Sequence, residues 1–246
     1  MESEEGEELP IIIDGKAYPN IVKNPLDEIS ITSFALGALL GLSFAIVPYL
    51  RFRNFAIYVG SLATFHFLEY YVTAKFNPGK VHANSFLIRN GSSYFLAHTF
   101  AMCEVFLESY FWPGWKSTWA SSFHRWAVVL GLICIIFGQY VRTNAMITAG
   151  QSFSHIVKTR KNKDHILVKN GIYSWSRHPA YCGYFWWAIG TQLLLLNPIS
   201  LLLYIVVLWR FFNERIEYEE RFLIKFFGKE YHNYKKVVSV GIPFIS

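Results

Sequence analysis

Six apolar runs dominate this chain and restrict what it can fold into: Ile29 to Leu50, Asn54 to Thr73, Tyr94 to Trp112, Trp126 to Thr148, Ala180 to Leu196 and Ile199 to Phe212. The first four approach the roughly 20 residues needed to cross about 30 Å of hydrocarbon. A water-exposed domain has no interior large enough to hide blocks of this length. Composition agrees, with 53% apolar, 18% aromatic and only 16% charged residues in 246, against about 25% charged in an average soluble domain. An ordinary soluble enzyme, a disordered chain and a nucleic-acid-binding protein are all disfavoured, and the lipid bilayer is the expected partner.

The expected architecture is therefore an all-α integral membrane protein with six transmembrane helices. Asn197-Pro198 separates the last two runs, a turn signal tight enough to imply a helical hairpin over residues 180–212. At about 1.5 Å per residue its first arm reaches only about 25 Å, which leaves the hairpin's mouth in the headgroup zone. Gly37 and Gly41 form a small-xxx-small face suited to close helix contact.

Charge sets the orientation. Residues 1–28 hold two lysines against eight carboxylates, a net of −6, so the +6 of the whole chain leaves +12 in the rest. Lys and Arg are densest from Lys158 to Arg177 and after Arg210, so both regions are expected on the cytosolic side. Four spans before the hairpin then place the N-terminus there too. The reading divides the chain into an acidic cytosolic segment (1–28), N-terminal transmembrane helices (29–150) and a cytosol-facing C-terminal region (151–246) with the hairpin and an amphipathic helix. Met1-Glu-Ser-Glu-Glu lacks the basic start of a signal peptide. The Asn90-Gly91-Ser92 sequon falls on the cytosolic side and is expected to stay unused. Cys103, Cys134 and Cys182 are odd in number and lie in apolar runs, as buried small side chains do.

Two stretches concentrate chemistry. Ile172-Tyr-Ser-Trp-Ser-Arg-His-Pro-Ala-Tyr181 brings a cation, an imidazole and two tyrosines to the start of the hairpin. Pro179 suits a first helical turn, whose free N–H groups favour an anion. The same residues also fit a plain interfacial anchor. In Arg210 to Arg221, Arg215 and Glu219 are four apart and share a helix face. Because both hairpin arms end at one surface, that face can meet His178 and Tyr181. A charge-laced surface helix, with pairs such as Glu217 and Arg221, is the alternative. His66 and Glu69 in the second span and His98 and Glu104 in the third are candidates as intramembrane ionisable groups, or polar glue between those spans. The histidines are too scattered for a di-iron site, and no metal is expected. Neither a Rossmann glycine motif nor a serine-hydrolase elbow is present.

Leu167 to Tyr184 with its R-H-P-x-Y-x-G-Y element, Asn197-Pro198, Trp209-Arg-Phe-Phe, the acidic cluster through Glu220, Phe227-Gly-Lys-Glu-Tyr231, Tyr234 and Gly241-Ile-Pro-Phe-Ile245 together resemble the isoprenylcysteine carboxyl methyltransferase family. The resemblance covers residues 140–246 most specifically. It implies an endoplasmic-reticulum membrane enzyme of up to eight helices. S-adenosylmethionine would be its methyl donor and S-adenosylhomocysteine its product. The methyl would go to the C-terminal carboxylate of prenylated cysteine in CaaX proteins such as Ras-type small GTPases. By position, cofactor contacts would fall on His165, Ile166, Leu167, Val168, Tyr173, His178, Pro179, Ala180, Tyr181 and Glu219, with Arg215 holding the substrate carboxylate. Lys158 also aligns with a cofactor contact, where family members carry glutamine. Because the C-terminal motif extends to sterol reductases and other membrane lipid methyltransferases, an NADPH-dependent reductase and a non-catalytic membrane scaffold are the rivals.

Overall fold

A computed structural model of the chain describes residues 11–161 and 166–246. Among the described residues, seven α-helices follow one short hairpin: α1 (Leu26–Ile46), α2 (Arg53–Phe76), α3 (Gly91–Phe111), α4 (Ser122–Ala149), α5 (Pro179–Leu195), α6 (Pro198–Phe227) and α7 (Lys229–Val237). The six apolar runs coincide with α1 to α6. Two segments, Leu26–Tyr49 and Ser122–Ser152, are long and apolar enough by composition to cross a membrane. Of the others, α5 is 17 residues long, and α6 carries exposed ion pairs such as Arg210 with Glu214 and Glu217 with Arg221.

Two elements depart from expectation. Strands β1 (Ile11–Ile13) and β2 (Lys16–Tyr18) pair antiparallel within the acidic segment. Asp14 and Gly15 both adopt positive φ at the turn, the geometry that an Asp-Gly pair supplies for a two-residue hairpin. The second departure is α6, which does not end with its apolar run at Phe212. It continues unbroken for 30 residues, about 45 Å, and so carries the acidic cluster on the same rigid rod as the hairpin's second arm.

The closest packing in the molecule joins α4 to α5. Gly131 and Gly138 face Gly190 and Gly183, with each pair seven residues apart so that both members share one helix face. A Cβ added to Gly138 would lie 2.5 Å from Gly183 O and Trp187 N, and one added to Gly183 would lie 2.6 Å from Gly138 O and Arg142 N. The backbones therefore touch, and only hydrogen fits between them. Gly37 and Gly41 do not play this part: nothing lies within 4 Å of a Cβ at either, because the face they form on α1 has no close partner. Trp187 then stacks on Phe65 of α2, ring centroids 4.5 Å apart.

The hairpin turn is held from α3 and the loop after it. Leu196 takes a left-handed φ of 54°, and the turn's exposed carbonyls are met by side chains. Lys116 Nζ donates to Leu195 O and Leu196 O at 2.9 Å and to Asn197 Oδ1 at 2.6 Å, while Trp115 Nε1 donates to Leu196 O. Glu104 accepts from the backbone N–H groups of Ile199 and Ser200, both at 2.7 Å. A carboxylate from another helix thus satisfies the first donors of α6, where the helix dipole also favours negative charge. His66 and His98 are glue between α2 and α3. His66 Nδ1 donates to Phe86 O at 2.8 Å, leaving Nε2 to accept from Tyr94, and Tyr58 bonds His98 at 2.9 Å.

Gly138→Ala should force α4 and α5 apart at a cost of at least about 1–3 kcal/mol, read as a lowered thermal unfolding midpoint in detergent. Gly37→Ala should leave that midpoint unchanged or raise it. Equal midpoints for the two variants would contradict the close contact.

Candidate functional site

A cavity of about 270 Å3 opens between the end of α4, the start of α5, the far half of α6 and the loop connecting α4 to α5. Its position follows from the glycine contact, which draws the first turns of α5 against Arg142. Pro179 occupies the first turn of α5, and the strand-like residues before it are fixed by the C-terminal tail. Arg177 N donates to Ser239 O at 3.0 Å and Ser176 Oγ to Val240 O at 2.6 Å. Gly241, at φ 85°, lies so near Cys182 that a Cβ would come within 2.8 Å of its sulfur.

Glu220 organises this end of the molecule. It is 3% exposed and accepts from Arg177 Nε at 2.5 Å, His178 Nε2 at 3.2 Å, Tyr231 Oη at 3.0 Å and Lys235 Nζ at 2.5 Å. Three segments of chain meet on one carboxylate: α6 itself, the Arg177-His178 pair ahead of α5, and α7. Burial opposes its ionisation, but the hydrogen bonds from His178, Lys235 and Arg177 outweigh it and hold the carboxyl well below the usual range. Tyr231 is pushed up by burial and by Glu220, and burial raises Tyr234 to about 12. Both phenols stay neutral at physiological pH. Tyr234 Oη donates to Tyr173 O at 2.5 Å, which ties α7 to the loop carrying Tyr173.

Glu219, one residue earlier, faces the cavity. Tyr181 Oη donates to Glu219 Oε2 at 2.7 Å and accepts from Arg215 Nε at 2.9 Å, so the phenol bridges cation and carboxylate and keeps them from pairing directly. The His178 ring stacks on Tyr181, centroids 5.6 Å apart and planes 10° from parallel, with Nδ1 3.8 Å from Glu219. Arg177 Nη2 is buried with no hydrogen-bond partner among the described residues.

Of the residues singled out from sequence, Ile166, Leu167, Val168, Tyr173, His178, Pro179, Ala180, Tyr181, Arg215 and Glu219 line this one cavity. Lys158 is not among the lining residues, and His165 lies outside the described residues. The alternative pair, Glu217 with Arg221, does form on the exposed face of α6 at 3.1 Å, so that helix is both a charge-laced surface and a cavity wall. Sequence reasoning missed Arg142 and His155, which also line the cavity. Their signal was a lone cation late in a span and a histidine in a polar loop, neither informative without its partner. Glu69 is that partner, joining α2 to α4 and the loop, where the sequence suggested glue to α3.

Because the Glu220 pKa is depressed on folding, the stability it contributes is fully present above the unfolded value of about 4.3 and drains away as pH falls below it. Wild-type protein in detergent should therefore lose unfolding midpoint steeply on acidification. Glu220→Gln should start lower at neutral pH and fall less, and parallel curves would exclude the role. Glu220→Ala, which leaves the 3%-exposed Arg177 side chain without its carboxylate, should cost about 3–5 kcal/mol.

The family model for the isoprenylcysteine carboxyl methyltransferase (ICMT) family matches residues 129–225, which hold α5, most of α6 and the cavity's charged groups. Protein-S-isoprenylcysteine O-methyltransferase of Saccharomyces cerevisiae is 57% identical over 232 residues, 94% of this chain and 97% of the relative. The Homo sapiens protein of the same name is 42% identical over 229 residues, 92% and 78% of the two chains. A solved structure of the eukaryotic intramembrane Ras methyltransferase ICMT superposes with a TM-score of 0.84 at 38% identity, covering 89% of this chain and 77% of that one. With near full-length identity to these enzymes and the same helical arrangement, the chain belongs to the isoprenylcysteine carboxyl methyltransferase family.

Proposed function

We propose that this protein uses S-adenosylmethionine to methylate the C-terminal α-carboxylate of prenylated cysteine in processed CaaX proteins, Ras-type small GTPases among them, at the endoplasmic-reticulum membrane. Helices α1 to α6 would span the bilayer, with the N-terminus, the catalytic region and the cavity on the cytosolic side, as the basic residues favour. The observation that carries the reading is the bridge from Arg215 through Tyr181 to Glu219: a cation and a carboxylate share one small cavity without neutralising each other.

The donor set suits this cofactor. Glu219 offers a carboxylate to a cationic centre, and Ile166, Leu167 and Val168 an apolar wall. When bound, S-adenosylmethionine supplies an electrophilic methyl group, which a carboxylate oxygen accepts as the carbon–sulfur bond breaks. The substrate carboxylate is already ionised at pH 7, so none of these residues has to act as a strong base. His178 is instead held by Glu220 as a fixed hydrogen-bonding wall of the cofactor site. Arg215 has five donors in a planar fork, of which Tyr181 and His155 take two, leaving the remainder for the substrate. Holding both reactants in line can contribute about 7–11 kcal/mol. Phe211, Phe212 and Tyr184 give the cavity an aromatic lining, along which the prenyl chain would enter.

Purified protein should transfer labelled methyl from S-adenosylmethionine to N-acetyl-S-farnesylcysteine, and the label should leave in base as methanol; no base-labile product would refute the reading. Arg215→Ala should lower kcat/KM for that substrate by at least about 100-fold yet still be stabilised thermally by S-adenosylhomocysteine. His178→Ala should raise the S-adenosylmethionine concentration needed for half-maximal rate, and an unchanged dependence would remove it from the cofactor site.

A further inference from the structure

The mechanism above leaves unused a carboxylate buried on α2. Glu69 is 1% exposed and is approached by both edges of the Arg142 guanidinium, Nε to Oε1 and Nη2 to Oε2 at 2.8 Å. Arg142 reaches onward, Nη1 donating to Ala180 O at 3.2 Å. On its other side Glu69 Oε2 accepts from His155 Nε2 at 3.0 Å. The backbone carbonyl of that histidine accepts from Arg215 Nη2 at 2.6 Å, and Arg215 Nε returns to the Tyr181 hydroxyl at 2.9 Å. Since Tyr181 follows Ala180 in the chain, the contacts close a ring: Glu69, Arg142, Ala180–Tyr181, Arg215, His155 and back to Glu69. All of its members except Glu69 line the cavity.

We propose that Glu69 is a positioning residue for Arg215, setting the angle at which the guanidinium meets the substrate carboxylate; this rests on the reading of Arg215 as the carboxylate clamp. A long arginine side chain is entropically costly to hold in one conformation. Among the described residues no carboxylate pairs with Arg215. Two neutral oxygens hold it, one on His155 and one on Tyr181, so its charge stays available to a ligand. Each of those oxygens belongs to a segment that Glu69 anchors, the first through the His155 ring and the second through Arg142 and Ala180. The clamp is therefore fixed from two directions by one carboxylate that never touches substrate. Glu69 lies on α2, so the N-terminal helices would contribute directly to the precision of a site whose reacting groups all come from the C-terminal region.

The test compares binding of N-acetyl-S-farnesylcysteine with that of its C-terminal carboxamide, which keeps the prenyl chain and removes the charge, using the full-length protein in detergent. Wild type should prefer the acid, and Arg215→Ala should abolish the preference. Glu69→Gln and His155→Ala should each reduce the preference about tenfold or more, the scale on which a misplaced positioning group acts, while affinity for the amide and for S-adenosylhomocysteine stays at the wild-type level. His155→Gln, which keeps a donor toward Glu69, should restore part of the preference. The His155 side chain is 22% exposed, so its variants carry the test if Glu69→Gln does not fold. A uniform loss of acid and amide binding, or full retention of the preference in both Glu69→Gln and His155→Ala, would overturn the positioning role alone. Equal binding of acid and amide by wild type would remove the clamp reading and the proposal with it.

Discussion

The backbone contact between α4 and α5 is the constraint from which the site's geometry follows. Between helices surrounded by lipid there is little hydrophobic driving force, and association depends on close packing and on hydrogen bonds made in the contact. Gly131, Gly138, Gly183 and Gly190 remove the side chains that would hold the helices apart. Once the backbones touch, Arg142 stands beside the first turn of α5, where its guanidinium can donate to Ala180 O. The His-Pro-Ala-Tyr turn and Tyr184 then face α6 across the cavity.

Adjacent carboxylates on α6 illustrate how a helix divides labour. Glu219 and Glu220 are about 100° apart around the axis. Glu220 turns inward and gathers Arg177, His178, Tyr231 and Lys235, whereas Glu219 turns to the cavity and takes one hydrogen bond from Tyr181. The first is satisfied within the fold; the second keeps acceptor capacity for a ligand. A buried charge with every partner in place is costly to disturb, so the Arg-His pair of the motif is tied to Glu220 while the tyrosine two residues after the proline faces the cavity.

How far the sequence disclosed this varies with the range of the interaction. Asn197-Pro198 announced a hairpin because a proline two residues after an apolar run cannot continue the same helix. The placement of Arg215 and Glu219 on one face was readable because i and i+4 spacing is local. By contrast, Gly37 and Gly41 carried the small-xxx-small signal, yet Gly183 and Gly190, seven residues apart, are the ones that meet a partner helix. The Asp14-Gly15 hairpin was a local signal passed over amid the surrounding charge. Glu69 and His155 could not be joined by any spacing rule, being 86 residues apart in sequence.

By itself the sequence determined that the chain belongs in a membrane, where its helices begin and turn, and which motif residues come together around one cavity. All of these follow from apolar run length, proline and glycine punctuation and residue types at short spacing. Only the tertiary structure decided which glycines touch, which of two neighbouring glutamates is buried, and that a carboxylate on α2 stands behind the arginine of α6. Those outcomes depend on desolvation and on distances between segments far apart in the chain, and neither quantity exists until the helices are packed.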